Sequence, residues 1–137
     1  MKTWVHFSVS LILAILFYPV FNWKVLFILV GGVLVDVDHY IRYIFKYKDL
    51  NIFKCYNHYL SMYKKNNFDE CKDGLFVFHT IEFFVIVAVL SFFSEFAGTF
   101  AIGLLSHYLL DIIWHMNVPK RIVANHSAIS WILNQKL

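Results

Sequence analysis

Residues 96–115 read FAGTFAIGLLSHYLLDIIWH, an apolar run that carries His107 and Asp111 four positions apart and ends on His115. As α-helix, about 20 residues reach about 30 Å, the thickness of a hydrocarbon core, so the run predicts a membrane span. An ionised group deep in a bilayer costs about 2.5–3.5 kcal/mol even on the mild insertion scale. His107 and Asp111 share one helix face. That face must therefore meet protein, and the rest of the chain has to supply its partners.

Three more segments have the length and composition of spans, at about 4–20, 25–45 and 74–93. The first ends at Pro19 and turns at Asn22-Trp23-Lys24; the third and fourth are separated by Ser94-Glu95. Trp4 to Val20 follows a weak basic start at Lys2, but bulky Tyr18-Pro19-Val20-Phe21 offers no small-residue cleavage pattern, so the segment is expected to be retained as a helix. The predicted fold is all-α: an integral membrane four-helix bundle in one domain, 1–137. A cytoplasmic loop covers 46–73 and has room for a surface helix. The tail over 119–137 carries Ile122, Ile129, Leu133 and Trp131 at near-helical spacing and predicts an interfacial helix.

Composition agrees. Hydrophobic residues make up 60% of 137 and the mean hydropathy is +0.62, more apolar surface than a soluble domain of this size can bury. With the N-terminus inside, Lys2, Arg42, Lys46, Lys48, Lys54, Lys64, Lys65, Lys72, Lys120, Arg121 and Lys136 all fall on or near the inner side, and Lys24 stands alone outside. This asymmetry predicts a multi-pass protein of the cell membrane with both termini cytoplasmic. It also accounts for the net charge of +3, so no nucleic-acid partner is predicted; the expected partner is the lipid bilayer. Cys55 and Cys71 show no CxxC spacing and read as free thiols. There is no Gly-rich phosphate loop, no GxSxG and no HExxH.

The topology gathers the polar residues of the spans. His6 lies early in the first span. Asp36, Asp38 and His39 lie late in the second, His79 and Glu82 early in the third, and His107 and Asp111 late in the fourth. Each is then within about 5–15 Å of the inner helix ends. Asp36 and His39, and likewise His79 and Glu82, are i,i+3 pairs on one face. Bundle metal sites are built from carboxylates and histidines projected inward at this spacing. The candidate ligands are His6, Asp36, His39, His79, Glu82, His107 and Asp111. Oxygen and imidazole donors without thiolate suit zinc, manganese or iron, zinc first, and their number leaves room for two ions. Asp38 points about 200° away from Asp36: it is a partner that orients an imidazole, a ligand of a second ion, or, like Glu82, a catalytic general base. His115, His58 and His126 are further candidates with weaker placement. A metal-free polar network or proton relay is the competing reading of the same residues.

The segments Gly32-x3-Asp36-Val37-Asp38-His39, Phe78-His79-Thr80-Ile81-Glu82 and Gly103-Leu104-Leu105-Ser106-His107-Tyr108-Leu109-Leu110-Asp111, with an early His6, resemble the small membrane-bound metal-dependent hydrolase family, also labelled LexA-binding, inner membrane-associated hydrolases. The likeness covers about residues 1–115. Val35 stands where many relatives have proline, and of an Arg-Gly-x-Thr-His-Ser segment only His79 has a counterpart. The resemblance implies a hydrolase. A distant likeness of its His/Asp/Glu arrangement to zinc-dependent phospholipase C implies a phosphoester, and the depth of the site a lipid or amphiphilic one, with Lys120 and Arg121 available to its phosphate. Two other classes stay open. One is a metal or proton transporter, for which four helices call for a homodimer. The other is a non-catalytic membrane interaction protein, to which the LexA label points.

Overall fold

The computed structural model describes residues 3–65, 74–116 and 126–134. It is all-helical. Helix α1 spans Thr3–Phe21 and buries His6, Ser10 and Ala14, a stripe at four-residue spacing. Asn22 then takes φ 50°, which ends the helix, and a 3-10 turn over Asn22–Val25 leads into α2 (Leu26–Val33). The chain doubles back here: Ala14, Val25 and Ile28 form one core cluster, sealed by Phe17 and Phe21. A second 3-10 turn, Leu34–Asp36, separates α2 from α3 (Val37–Tyr47). The predicted second span, 25–45, is thus an interrupted helix.

Lys48, at φ 54°, closes α3. Asn51 then caps α4 (Ile52–Lys65), its Oδ1 accepting from the amides of Phe53 at 3.0 Å and Lys54 at 3.1 Å. The Lys54 ammonium, 2.8 Å from Asp49, holds that carboxyl below its usual range. Cys55, on α4, is a buried free thiol whose pKa burial pushes up; Cys71 lies outside the described residues.

The predicted third span, 74–93, needs correction. Only Ile81–Ser91 is α-helix (α5). Ahead of it the chain makes a 3-10 turn over Val77–His79, and Thr80 is extended at φ −89°, ψ 150°. The reason is a long-range bond: the Phe78 amide donates to Asp38 Oδ2 at 3.2 Å instead of entering a helix. Thr80 then caps α5, its Oγ1 accepting from Phe83 N at 3.3 Å. Helix α6, Glu95–Met116, matches its predicted span closely. Of the predicted tail helix over 119–137, α7 (Ala128–Asn134) is described; residues 117–125 and 135–137 lie outside the described residues.

Helix α6 packs against α1, α2 and α5, most extensively against α2. Glycine makes that seam possible. A Cβ on Gly103 would lie 2.1 Å from Ile28 O, and one on Gly31 would lie 2.3 Å from Phe100 O. Both neighbours are backbone, so neither helix can give way. Lys24 pairs with Glu95, which brings both hairpin turns to one end of the molecule and leaves the polar residues at the other.

Two helical stretches, Thr3–Tyr47 (which doubles back at Asn22) and Glu95–Trp114, are long and apolar enough to cross a membrane. Large apolar side chains cover much of the outside, and polar ones share the core with apolar ones. Trp4, Ile15, Leu16, Phe92, Phe93 and many other large apolar residues are exposed, while His6, Ser10, Asp38, Thr80, Thr99 and His107 are buried.

Candidate metal centre

His107 lies on the seam face of α6, fully buried. The close approach at Gly31, Gly32 and Gly103 lets its Nδ1 sit 3.0 Å from the carbonyl of Gly32. A carbonyl only accepts, so Nδ1 carries a proton, and in the neutral ring Nε2 presents a lone pair. His79, on the 3-10 turn before α5, is oriented differently: its Nδ1 lies 2.9 Å from Asp38 Oδ2. The carboxylate takes that proton's hydrogen bond, and in the neutral ring His79 Nε2 also presents a lone pair.

These two Nε2 atoms are 3.1 Å apart. Two lone pairs at that distance repel unless a proton or a cation lies between them. Asp36 Oδ1 is 3.7 Å from His79 Nε2 and 3.5 Å from His107 Nε2. Asp111 Oδ2 is 3.9 Å and 3.3 Å from the same two nitrogens. Donor atoms bound at about 2.0–2.1 Å around a tetrahedral ion stand about 3.3 Å from one another, so the separations among Asp36, His79 and His107 are those of a ligand shell slightly open, with Asp111 Oδ2 beside the same two nitrogens. Two neutral imidazoles and two carboxylates also balance the charge of a divalent cation. The described residues contain three such groupings: Asp36 with His79 and His107; His6 with His107 and Asp111; and Asp38 with His39 and His79.

The third grouping is closed by hydrogen bonds. Asp38 is buried and accepts from His79 Nδ1, from His39 Nδ1 at 2.8 Å and from Phe78 N. One carboxylate thus sets the tautomer and aim of two imidazoles, the outer partner that ligating histidines ordinarily have. His39 stacks on Phe76, ring centroids 4.3 Å apart, and its carbonyl accepts from Tyr59 Oη at 3.1 Å.

Of the predicted site residues, the structure brings together His6, Asp36, Asp38, His39, His79, His107 and Asp111. Glu82 goes elsewhere. Because α5 begins only at Ile81, His79 and Glu82 do not share a helix face. The Glu82 carboxylate instead accepts from Ser127 Oγ at 2.6 Å, Ala128 N at 3.0 Å and Ile129 N at 3.3 Å, capping α7. His58 lies among Tyr43, Tyr47 and Tyr59. The carbonyl of His126 accepts from Ile81 N at 2.9 Å. The side chain of His115, and all of Lys120 and Arg121, lie outside the described residues.

Sequence reasoning overlooked Tyr108. Its hydroxyl donates to Phe78 O at 2.6 Å and lies 3.3 Å from Thr80 O, pinning the turn that carries His79 to α6. A tyrosine in an apolar helix gives no polar signal of its own; its place directly after His107 was the only cue.

No family model, curated protein or solved structure matches the chain.

Proposed function

We propose that the protein is a membrane-embedded, metal-dependent hydrolase that acts on a lipid or other amphiphilic phosphoester at the cytoplasmic face. The observation that carries this reading is the pair of facing imidazoles: His79 Nε2 and His107 Nε2 stand 3.1 Å apart, each with its Nδ1 already bonded, between Asp36 and Asp111. The chemistry a divalent ion supplies in such a site is activation of water near neutral pH and polarisation of a scissile oxygen. His79, His107, Asp36 and Asp111 bind, Asp38 orients, and Asp36, the most exposed of the three carboxylates, stands on the side open to water and substrate.

The four-span membrane reading is supported by the many exposed large apolar side chains, by the polar groups buried beneath them and by the Lys/Arg asymmetry of the sequence. As a span, the 11 residues of α5 reach only about 16 Å. Residues 74–80, with the 3-10 turn Val77–His79, would make up the remaining depth, and a bilayer tolerates such irregular backbone where it is enclosed by protein and lines a site. In this reading the end marked by the Lys24–Glu95 pair would face outward and the end with the His/Asp cluster inward.

The test is turnover in nanodiscs. Protein loaded with zinc, manganese or iron is expected to release product from a panel of phospholipids and phosphorylated amphiphiles, with at least a hundredfold loss in His79→Ala and Asp111→Ala. Metal-loaded protein that turns over none of them would overturn the hydrolase reading. A proton- or metal-handling role is the second reading, favoured by the unbroken run His39–Asp38–His79–His107, linked at 2.8–3.1 Å. Ion flux in liposomes distinguishes it.

A further inference from the structure

We infer that the centre takes a second divalent cation, held by His6 Nε2 and Asp111 Oδ1, so that the Asp111 carboxylate bridges two ions. This rests on the metal-centre reading above and extends it to a side chain that the first ion leaves unused.

His6 is 1% exposed, and neither of its ring nitrogens has a hydrogen-bond partner. One turn further along α1, Ser10 Oγ is buried and unpartnered as well. Buried polar atoms are nearly always satisfied, and the unpartnered Nε2 is an open valence that asks for an occupant. Nε2 stands 3.4 Å from Asp111 Oδ1, off hydrogen-bond geometry.

The two oxygens of Asp111 face different imidazoles. Oδ1 faces His6, and Oδ2 faces His107 at 3.3 Å. The His6 and His107 rings are stacked, centroids 4.0 Å apart and planes within 20°. Two near-parallel imidazoles therefore present nitrogens side by side to the two oxygens of one carboxylate. Ions in two-metal hydrolytic sites stand about 3.5–4 Å apart, the spacing that these stacked rings set. His6 is then the end-on ligand of the second ion, and His107 with His79 and Asp36 belongs to the first.

Charge says what completes the pair. Two divalent ions exceed the charge of Asp36 and Asp111 together, with Asp38 committed to His39 and His79. The second ion, with two protein donors, binds more weakly than the first and is tightened by an anionic oxygen ligand. A phosphate group supplies that oxygen, which matches the substrate class proposed above.

Manganese serves as the probe, because two nearby Mn²⁺ ions couple magnetically. Purified full-length protein in mild detergent is titrated with Mn²⁺, with and without inorganic phosphate, and read by elemental analysis and electron paramagnetic resonance. The wild type is expected to hold two ions per chain with a coupled signal, the second at least tenfold tighter with phosphate. His6→Ala and His6→Gln variants that keep the wild-type circular dichroism are expected to hold one ion with an uncoupled six-line signal. A wild type that holds one uncoupled ion, unchanged by either substitution, overturns the second site and leaves the single-ion centre standing. Loss of every ion in both variants would place His6 in the first ion's shell and equally overturn the bridge. A wild type that binds no ion overturns both readings. If neither variant folds, the wild-type signal alone decides between a coupled pair and a single ion.

Discussion

The two imidazoles at the heart of the centre are held by two different kinds of structure. His107 belongs to the α2–α6 seam, where Gly31, Gly32 and Gly103 bring backbones into contact and its Nδ1 rests on a main-chain carbonyl. His79 belongs to a short non-helical entry into α5, and its Nδ1 rests on the Asp38 side chain. The first is placed by packing and can move only if two helices separate. The second is placed by hydrogen bonds from Asp38 and by the Tyr108 hydroxyl, which grips the same turn. A rigid wall thus faces an adjustable arm, and substitutions on the two sides are expected to fail differently.

Damage to the seam has the largest expected effect. In Gly103→Ala the new Cβ meets Ile28 O at 2.1 Å and Gly32 N at 2.8 Å, both main chain. A loss of about 3 kcal/mol is expected, at the upper end of overpacking penalties. Thermal unfolding in detergent measures it, and metal binding falls with the fold. A variant as stable as the wild type would show that the seam is loose.

Asp38→Asn acts on the arm alone. The shell around the ion is kept, but the orienting acceptor for His79 and His39 becomes a neutral amide. Metal affinity is expected to drop 10–100-fold, about 1.4–2.8 kcal/mol, with the same stoichiometry at saturation. A competition titration with a chelating dye reads this. Complete loss of metal would make Asp38 a ligand instead.

Thr80→Ala removes the cap of α5, whose Oγ1 also donates to Val77 O at 2.8 Å. About 1 kcal/mol of stability is expected to go, measured by thermal unfolding, with a smaller effect on metal affinity. The smallest change lies at the far end. Lys24→Ala breaks an exposed ion pair with Glu95, and less than about 1 kcal/mol is expected, falling further with added salt. A large shift there would mean that the hairpin ends hold the site together.

The same contrast explains what could be read from the sequence. Both α1 and α6 were legible to within a residue or two, because a long apolar run between turn residues needs no partner to declare itself. The convergence of His6, Asp36, His39, His79, His107 and Asp111 was legible for a related reason: topology alone put them at one end. The entry into α5 was not. The length and apolar composition of 74–93 suggest a continuous helix, but Asp38, forty residues earlier in the chain, captures the Phe78 amide and the His79 ring. Glu82 was misplaced in consequence, since its kinship with His79 assumed that helix; its true partners, Ser127, Ala128 and Ile129, lie 45–47 residues downstream. The break at Leu34–Asp36 was equally hidden. The spacing of Asp36 and Asp38 showed that they face apart, and only the hydrogen bonds of Asp38 reveal which imidazoles it serves.

Everything proposed for the centre depends on His79 and His107 facing a metal ion. The most direct test is elemental mass spectrometry of the protein purified in mild detergent and reconstituted with zinc, manganese or iron, alongside His79→Ala and Asp111→Ala. At least one equivalent per wild-type chain, lost in both variants while their helical circular dichroism is kept, is the expected result. A wild type that retains no metal under any of these conditions would contradict the account and leave the facing imidazoles as a proton-sharing pair.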